Sequence, residues 1–224
     1  MSDDVRHCRI VFFGDSYMSC PGLEPAEAWP AQVMARLEAE FAGRVAFNCA
    51  VRTGIGDTTR AALERMFDDV QSAEPHIVCM QFGANDATHF LSMRGAPLVS
   101  QAAYRANLEE MLDRARRFGT LRVVINTNHP VAKDRFEING LRPDDNVAAY
   151  DAITREIARR HLLLLADVRA AAARIDARTL CQPAPDEVHP STRAATLYAD
   201  TVTPPLVRAV EGLLAVDQLP TDAD

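Results

Sequence analysis

Five short stretches of the chain are apolar at most positions: 9–14, 44–49, 76–83, 121–127 and 162–168. Runs of this length, without strict alternation, are expected of central strands in a parallel sheet covered on both faces. Segments with a different rhythm lie between them. Val33, Leu37 and Phe41 recur along 26–41; Leu63, Met66, Phe67 and Val70 along 58–72; Leu108, Met111, Leu112, Ala115 and Phe118 along 101–118; Val147, Tyr150, Ile153 and Ile157 along 145–160. Spacings of three and four predict amphipathic helices. A last helical region is expected over 194–216, broken or kinked at Pro204-Pro205. Five βα units in series predict an α/β fold: a three-layer α/β/α sandwich around a five-stranded parallel sheet of the flavodoxin-like kind.

Composition narrows the picture. The 224 residues contain no Gly/Ser run, Pro-rich spacer or charge block, so a single domain over 1–224 is expected. Its core would span about 9–216, with 217–224 a frayed tail. A net charge of −7 disfavours nucleic acid and anionic membrane as partners. The opening, MSDDVRHCRI, lacks a basic segment followed by an apolar one, so no signal peptide is expected, and no apolar run approaches the length of a membrane span. The odd, scattered cysteines Cys8, Cys20, Cys49, Cys79 and Cys181 read as free thiols, which suits a cytoplasmic location. The absence of CxxC and HExxH argues against a zinc ribbon and a zincin.

In open parallel sheets, functional groups gather at the carboxyl ends of the strands. Polar motifs stand there in this chain. Gly14-Asp15-Ser16 follows the first apolar run, 48-NCAVRTGIGDTT-59 follows the start of the second, 83-GAND-86 ends the third, and 186-DEVHP-190 lies beyond the fifth. A serine hydroxyl becomes a useful nucleophile when a base takes its proton, and His189 can be that base. Asp186, three residues earlier, can hold the ring in one tautomer. Pro190 restrains His189 and can begin the last helix. Asn85 offers a side-chain donor and a glycine of the second loop a backbone N–H for a developing oxyanion. Each motif alone also has a plainer reading: a helix cap at Asp15 or Asp186, a surface turn at His189, an Asx-turn at Asn85-Asp86, turn chemistry at Gly54 and Gly56.

The set resembles the SGNH hydrolases, the GDSL-type esterase and lipase superfamily. Gly14-Asp15-Ser16 matches its GDS motif, Gly83, Asn85 and Asp86 its GxND, and Asp186, His189 and Pro190 its DxxHP, in the family's order over about 9–210. The sequence departs from the pattern at Tyr17, where the family has leucine, at the late Gly22, and at Thr53 in the second motif. The run Gly56-Asp57-Thr58-Thr59 resembles the family's glycine and helix start, with Gly54 the rival. The resemblance implies a serine esterase acting on small or short-chain acyl esters. Ser16, His189 and Asp186 would be its catalytic residues, and Ser16, Gly56 and Asn85 its oxyanion hole. No metal or other cofactor is implied, and the partner is a small-molecule ester. A thioesterase or a carbohydrate O-deacetylase would use the same scaffold, and a binding module that keeps the cleft is the rival from another class. A strand-end aspartate phosphatase would need an acid at Tyr17. The G-x-S-x-G elbow of the α/β-hydrolases is absent. Phe90, Leu91 and Met93 would either meet an acyl chain or fold back onto the core. Lys133, Arg135, Glu137 and Arg142 lie in a second loop, either facing a polar or anionic substrate or simply solvated. His129 follows the fourth run without an assigned role.

Overall fold

The structure is a computed structural model and describes residues 5–221. Five parallel strands form one sheet in the order β2-β1-β3-β4-β5. They are β1 (Arg6–Asp15), β2 (Val45–Gly54), β3 (Ile77–Gln81), β4 (Arg122–Asn126) and β5 (Leu164–Ala166). Between and after them come α1 (Ser16–Ser19), α2 (Trp29–Glu40), α3 (Thr59–Asp69), α4 (Gln101–Arg117), α5 (Pro143–Arg160), α6 (Val168–Ala171), α7 (Ala177–Leu180) and α8 (Thr192–Ala215).

The three layers follow from the pleat, which sends successive side chains to opposite faces. Val11, Phe13, Val78, Met80, Val123 and Ile125 pack on one side, against α3, α4 and α5. Ile10, Phe12, Ile77, Cys79 and Val124 pack on the other, against α2 and α8. Each large apolar side chain removed from water contributes about 1.5–3 kcal/mol, so the faces the strands present decide where the helices lie. Helix starts obey local chemistry. Ser100 and Ser191 accept hydrogen bonds from the Ala103 and Ala194 N–H groups at 3.2 Å each, and Pro143 opens α5 with Asp144 and Asp145 in its first turn.

Several expectations are corrected. The second strand is an edge strand and runs on to Gly54, because it pairs with β1 residue for residue from Arg6↔Val45 to Asp15↔Gly54. Much of the expected loop 48–59 is therefore strand, and β2 is only partly covered. Phe67 and Phe118, expected on inner faces, are 58% and 45% exposed. Helix α8 continues through Pro204 and Pro205. Buried Tyr198 and Val202 before them, and Leu206, Val210 and Leu213 after, hold it on the sheet, which outweighs the roughly 3 kcal/mol an interior proline costs. That helix starts at Thr192 with Ser191 as its cap, two residues beyond Pro190. The expected frayed tail is part of the fold as far as Thr221. Leu219 is buried, the His7 N–H donates to the Pro220 carbonyl at 2.8 Å, and Arg6 donates to the Leu219 carbonyl at 2.9 Å and pairs with Asp217 at 2.7 Å. The rest of the expected tail, 222–224, lies outside the described residues.

Candidate active site

The side chains named from the sequence meet at the carboxyl edge of the sheet. Strand β1 ends at Asp15, whose carboxylate accepts the Tyr17 N–H at 2.9 Å and so caps the single turn of α1. Ser16 is the first residue of that turn. Its Oγ lies 3.0 Å from His189 Nε2. His189 Nδ1 lies 2.7 Å from Asp186 Oδ2. The other Asp186 oxygen accepts the N–H groups of Val188 at 2.9 Å and His189 at 2.7 Å. Burial pushes the Asp186 carboxyl up, but the His189 side chain and these N–H donors outweigh it and hold the group below the ordinary carboxylate range. Asp186 stays ionised and fixes the proton of His189 on Nδ1, leaving Nε2 free to accept from Ser16 Oγ.

The loop carrying the imidazole is fastened on several sides. Gln182 N–H donates to the His189 carbonyl at 2.7 Å, and Ala132 N–H to the Glu187 carbonyl at 3.1 Å. His129, given no role by the sequence, is fully buried and sits 3.0 Å from the Val188 carbonyl through Nε2. The Tyr198 hydroxyl accepts the His129 backbone N–H at 3.1 Å and donates to Nδ1 at 3.1 Å, which leaves the ring proton on Nε2 for the carbonyl. Burial drives the His129 imidazole down to about 3, the Val188 carbonyl opposing, so the ring is neutral. Its ring packs at 4.6 Å on that of Tyr17, next to Ser16.

Asn85 Nδ2 donates to the Asp57 carbonyl at 3.0 Å, which brings it beside the turn that contains Gly56. Gly56 has φ +79°, a conformation glycine adopts readily, and its surroundings are open. Gly54 is instead the last residue of β2, paired with Asp15. Its Cα is covered by the Asp57 carboxylate, 2.0 Å from where a Cβ would stand. Asp57 pairs with Arg65 at 2.6 Å, and Arg65 donates to the Gly14 carbonyl at 2.7 Å. Gly54 thus has a packing reason to be glycine, and Gly56 a conformational one. Asp86 accepts from the Thr59 N–H and hydroxyl and so tethers the start of α3.

A hydrogen-bonded chain runs under Ser16. Asp151 Oδ1 accepts the Asn128 N–H and Nδ2, both at 2.8 Å. Asn128 Nδ2 also donates to the Phe82 carbonyl at 3.0 Å, so its Oδ1 is left to accept Gln81 Nε2 at 2.6 Å. The Gln81 side chain also lies beside the Asp15 carboxyl and acts to lower its pKa. Gln81 Oε1 and Asp15 Oδ2 are both buried without a donor among the described residues. Burial raises the Asp15 carboxyl to about 7, opposed by the Tyr17 N–H and the Gln81 side chain.

Among the described residues there is no cluster of His, Cys, Asp and Glu able to hold a metal ion, and no helix long and apolar enough to cross a membrane. All five cysteines are free thiols.

No curated protein matches the sequence. Among solved structures, the lipase/acylhydrolase from Enterococcus faecalis is 25% identical, with a TM-score of 0.69 over 96% of this chain and 98% of that one. Axe2, an acetylxylan esterase from Geobacillus stearothermophilus, is 19% identical, with a TM-score of 0.70 over 92% and 96% of the two chains. LAE5, a hydrolase from the metagenome of Lake Arreo, Spain, is 21% identical, with a TM-score of 0.72 over 92% and 97%. The sequence itself matches the GDSL-like Lipase/Acylhydrolase family over residues 12–197, most of its length, and the chain belongs to that family.

Proposed function

We propose that this member of the hydrolase family is a serine esterase that cleaves carboxylic esters of small or short-chain acyl groups. The observation that carries the reading is the unbroken chain Ser16 Oγ–His189–Asp186, at 3.0 and 2.7 Å. His189 Nε2 takes the hydroxyl proton as Ser16 Oγ bonds to the ester carbonyl carbon. The oxyanion is received by the N–H groups of Ser16 and Gly56 and by Asn85 Nδ2. Collapse of the tetrahedral intermediate breaks the bond to the alcohol, which leaves with the proton from His189. Water then gives a proton to the same nitrogen, attacks the acyl-enzyme and releases the acid, and Ser16 regains its proton. No cofactor enters these steps. Free thiols, four of the five buried, and the net charge of −7 fit a cytoplasmic enzyme with a small-molecule substrate rather than nucleic acid.

Hydrolysis of p-nitrophenyl acetate tests the reading. Ser16→Ala is expected to lose on the order of 10³-fold or more in kcat and to lose its fluorophosphonate adduct by intact mass. Asn85→Ala is expected to lose roughly 10²–10³-fold. Activity that survives in Ser16→Ala would refute the assignment, and folded wild type with neither activity nor adduct would favour a binding module. Longer acyl esters, acyl-CoA and acetylated sugars, compared in parallel, separate the esterase from a thioesterase or an O-deacetylase.

A further inference from the structure

A cavity of about 500 Å³ opens beside Tyr17 and Val188, the chain neighbours of Ser16 and His189. Its volume is that of a ligand site. Two loops wall it, and they are latched together by partly buried polar groups. His89 Nδ1 lies 3.2 Å from Glu137 Oε2, and Asn139 Nδ2 lies 3.3 Å from His89 Nε2. Asn139 Nδ2 also donates to Asn146 Oδ1 at 2.9 Å, while Asn146 Nδ2 donates to Glu137 Oε2 at 2.6 Å. The cavity is therefore built rather than left between loose segments.

Its floor is apolar, with Ala84, Ala87, Val131 and Val147. Leu91 and Phe136 stand at its wall 80% and 70% exposed, so these loops do not fold back onto the core. Lys133 and Arg135 also line the cavity. The acids around these two cations are engaged elsewhere: Asp134 with Arg142 at 2.9 Å, Glu137 within the latch, and Asp144 with Arg169 and the Val131 N–H at 2.9 Å each. Asp145 and Asp176 border Lys133 on its other side. Among the described residues, no carboxylate comes within ion-pair distance of Lys133 or Arg135. In a chain of net charge −7, two unpaired cations at an apolar cavity favour a ligand of opposite charge.

We propose that the substrate group filling this cavity is apolar and ends in an anion, received by Lys133 and Arg135. The proposal rests on the esterase reading and deepens it, from a small acyl ester to one that carries a charged end. The anion can belong to the acid or to the alcohol, and two matched pairs of esters distinguish these. Ethyl hydrogen adipate against ethyl hexanoate places the charge on the acyl side. The acetate of 6-hydroxyhexanoate against hexyl acetate places it on the alcohol side. In one pair the charged ester is expected to show a kcat/KM roughly five-fold higher or more. That ratio should fall with added salt and collapse towards one in Lys133→Gln/Arg135→Gln. Neutral esters preferred in both pairs, or a preference that persists in the double variant, would overturn the proposal. If the wild type hydrolyses none of the four, p-nitrophenyl acetate decides the esterase reading and calorimetric titration with adipate decides the cavity. Binding that disappears in the double variant upholds the anion site, and no binding by the wild type overturns it.

Discussion

Asp15 is the residue whose surroundings demand most of its chemistry. Its carboxyl is fully buried and caps the turn that begins with Ser16, and one of its oxygens has no donor among the described residues. An unfolded aspartate ionises near about 3.9, whereas Asp15 keeps its proton in the fold up to about 7. Between those values the folded state binds the extra proton. The stability this group contributes is complete below the lower value, declines as pH rises through the window, and levels off above the upper one. Asp15→Asn, whose oxygen can still accept the Tyr17 N–H and whose side chain does not ionise, should escape that decline. Urea unfolding across the pH range is expected to show the variant gaining on the wild type as pH rises, and a constant difference would show Asp15 ionised throughout. His129 makes a different claim. It touches no reacting atom, and it holds the carbonyl of the residue before His189. His129→Leu should lower kcat for p-nitrophenyl acetate by about 10- to 100-fold with little change in KM, since small displacements of a reacting group are costly. His129→Gln, which keeps a donor, should recover most of the loss. Equal kcat values for the folded Leu and Gln variants would sink the positioning role. The sequence could not reveal it, because Val188 and Tyr198 lie 59 and 69 positions away.

At the scale of the elements, legibility followed burial. Strands β3 and β4 are covered on both faces, and their apolar runs mark them within about two residues at each end. Strand β2 lies at an edge, where polar residues such as Arg52 and Thr53 carry no cost, so hydropathy hides its second half. The prolines of α8 misled for the opposite reason: a local signal for a break was overridden by packing along the whole helix. The motifs were legible because each is short and contiguous, and the fold needed only to bring the ends of the strands together. That Asp57 covers Gly54 while Gly56 stands open was not, since it depends on how the turn between them folds. The C-terminal segment carries a prediction of its own. Leu219→Ala removes a side chain packed with those of α2 and α8 and should cost about 2–5 kcal/mol in chemical denaturation, with kcat of the folded protein unchanged. A loss well below that range would mean the segment is only loosely held.

Considered as a whole, the molecule separates what it builds from what it offers. The helices close both faces of the sheet, and the proposed chemistry occupies the edge where the strands end. The opposite edge holds the segment in which Arg6 and His7 meet Leu219, Pro220 and Thr221. The beginning and end of the described chain are thus neighbours, tied by a bridge between Arg6 and Thr221. A chain whose described ends lie together can be cut elsewhere and rejoined through them with its other contacts kept. The exposed turn at Gly43, which precedes β2, is the place to open it. A circular permutant starting there, with the old ends joined, should fold and turn over p-nitrophenyl acetate at close to the parent rate. The order in which this chain is read would then be incidental to the shape it takes.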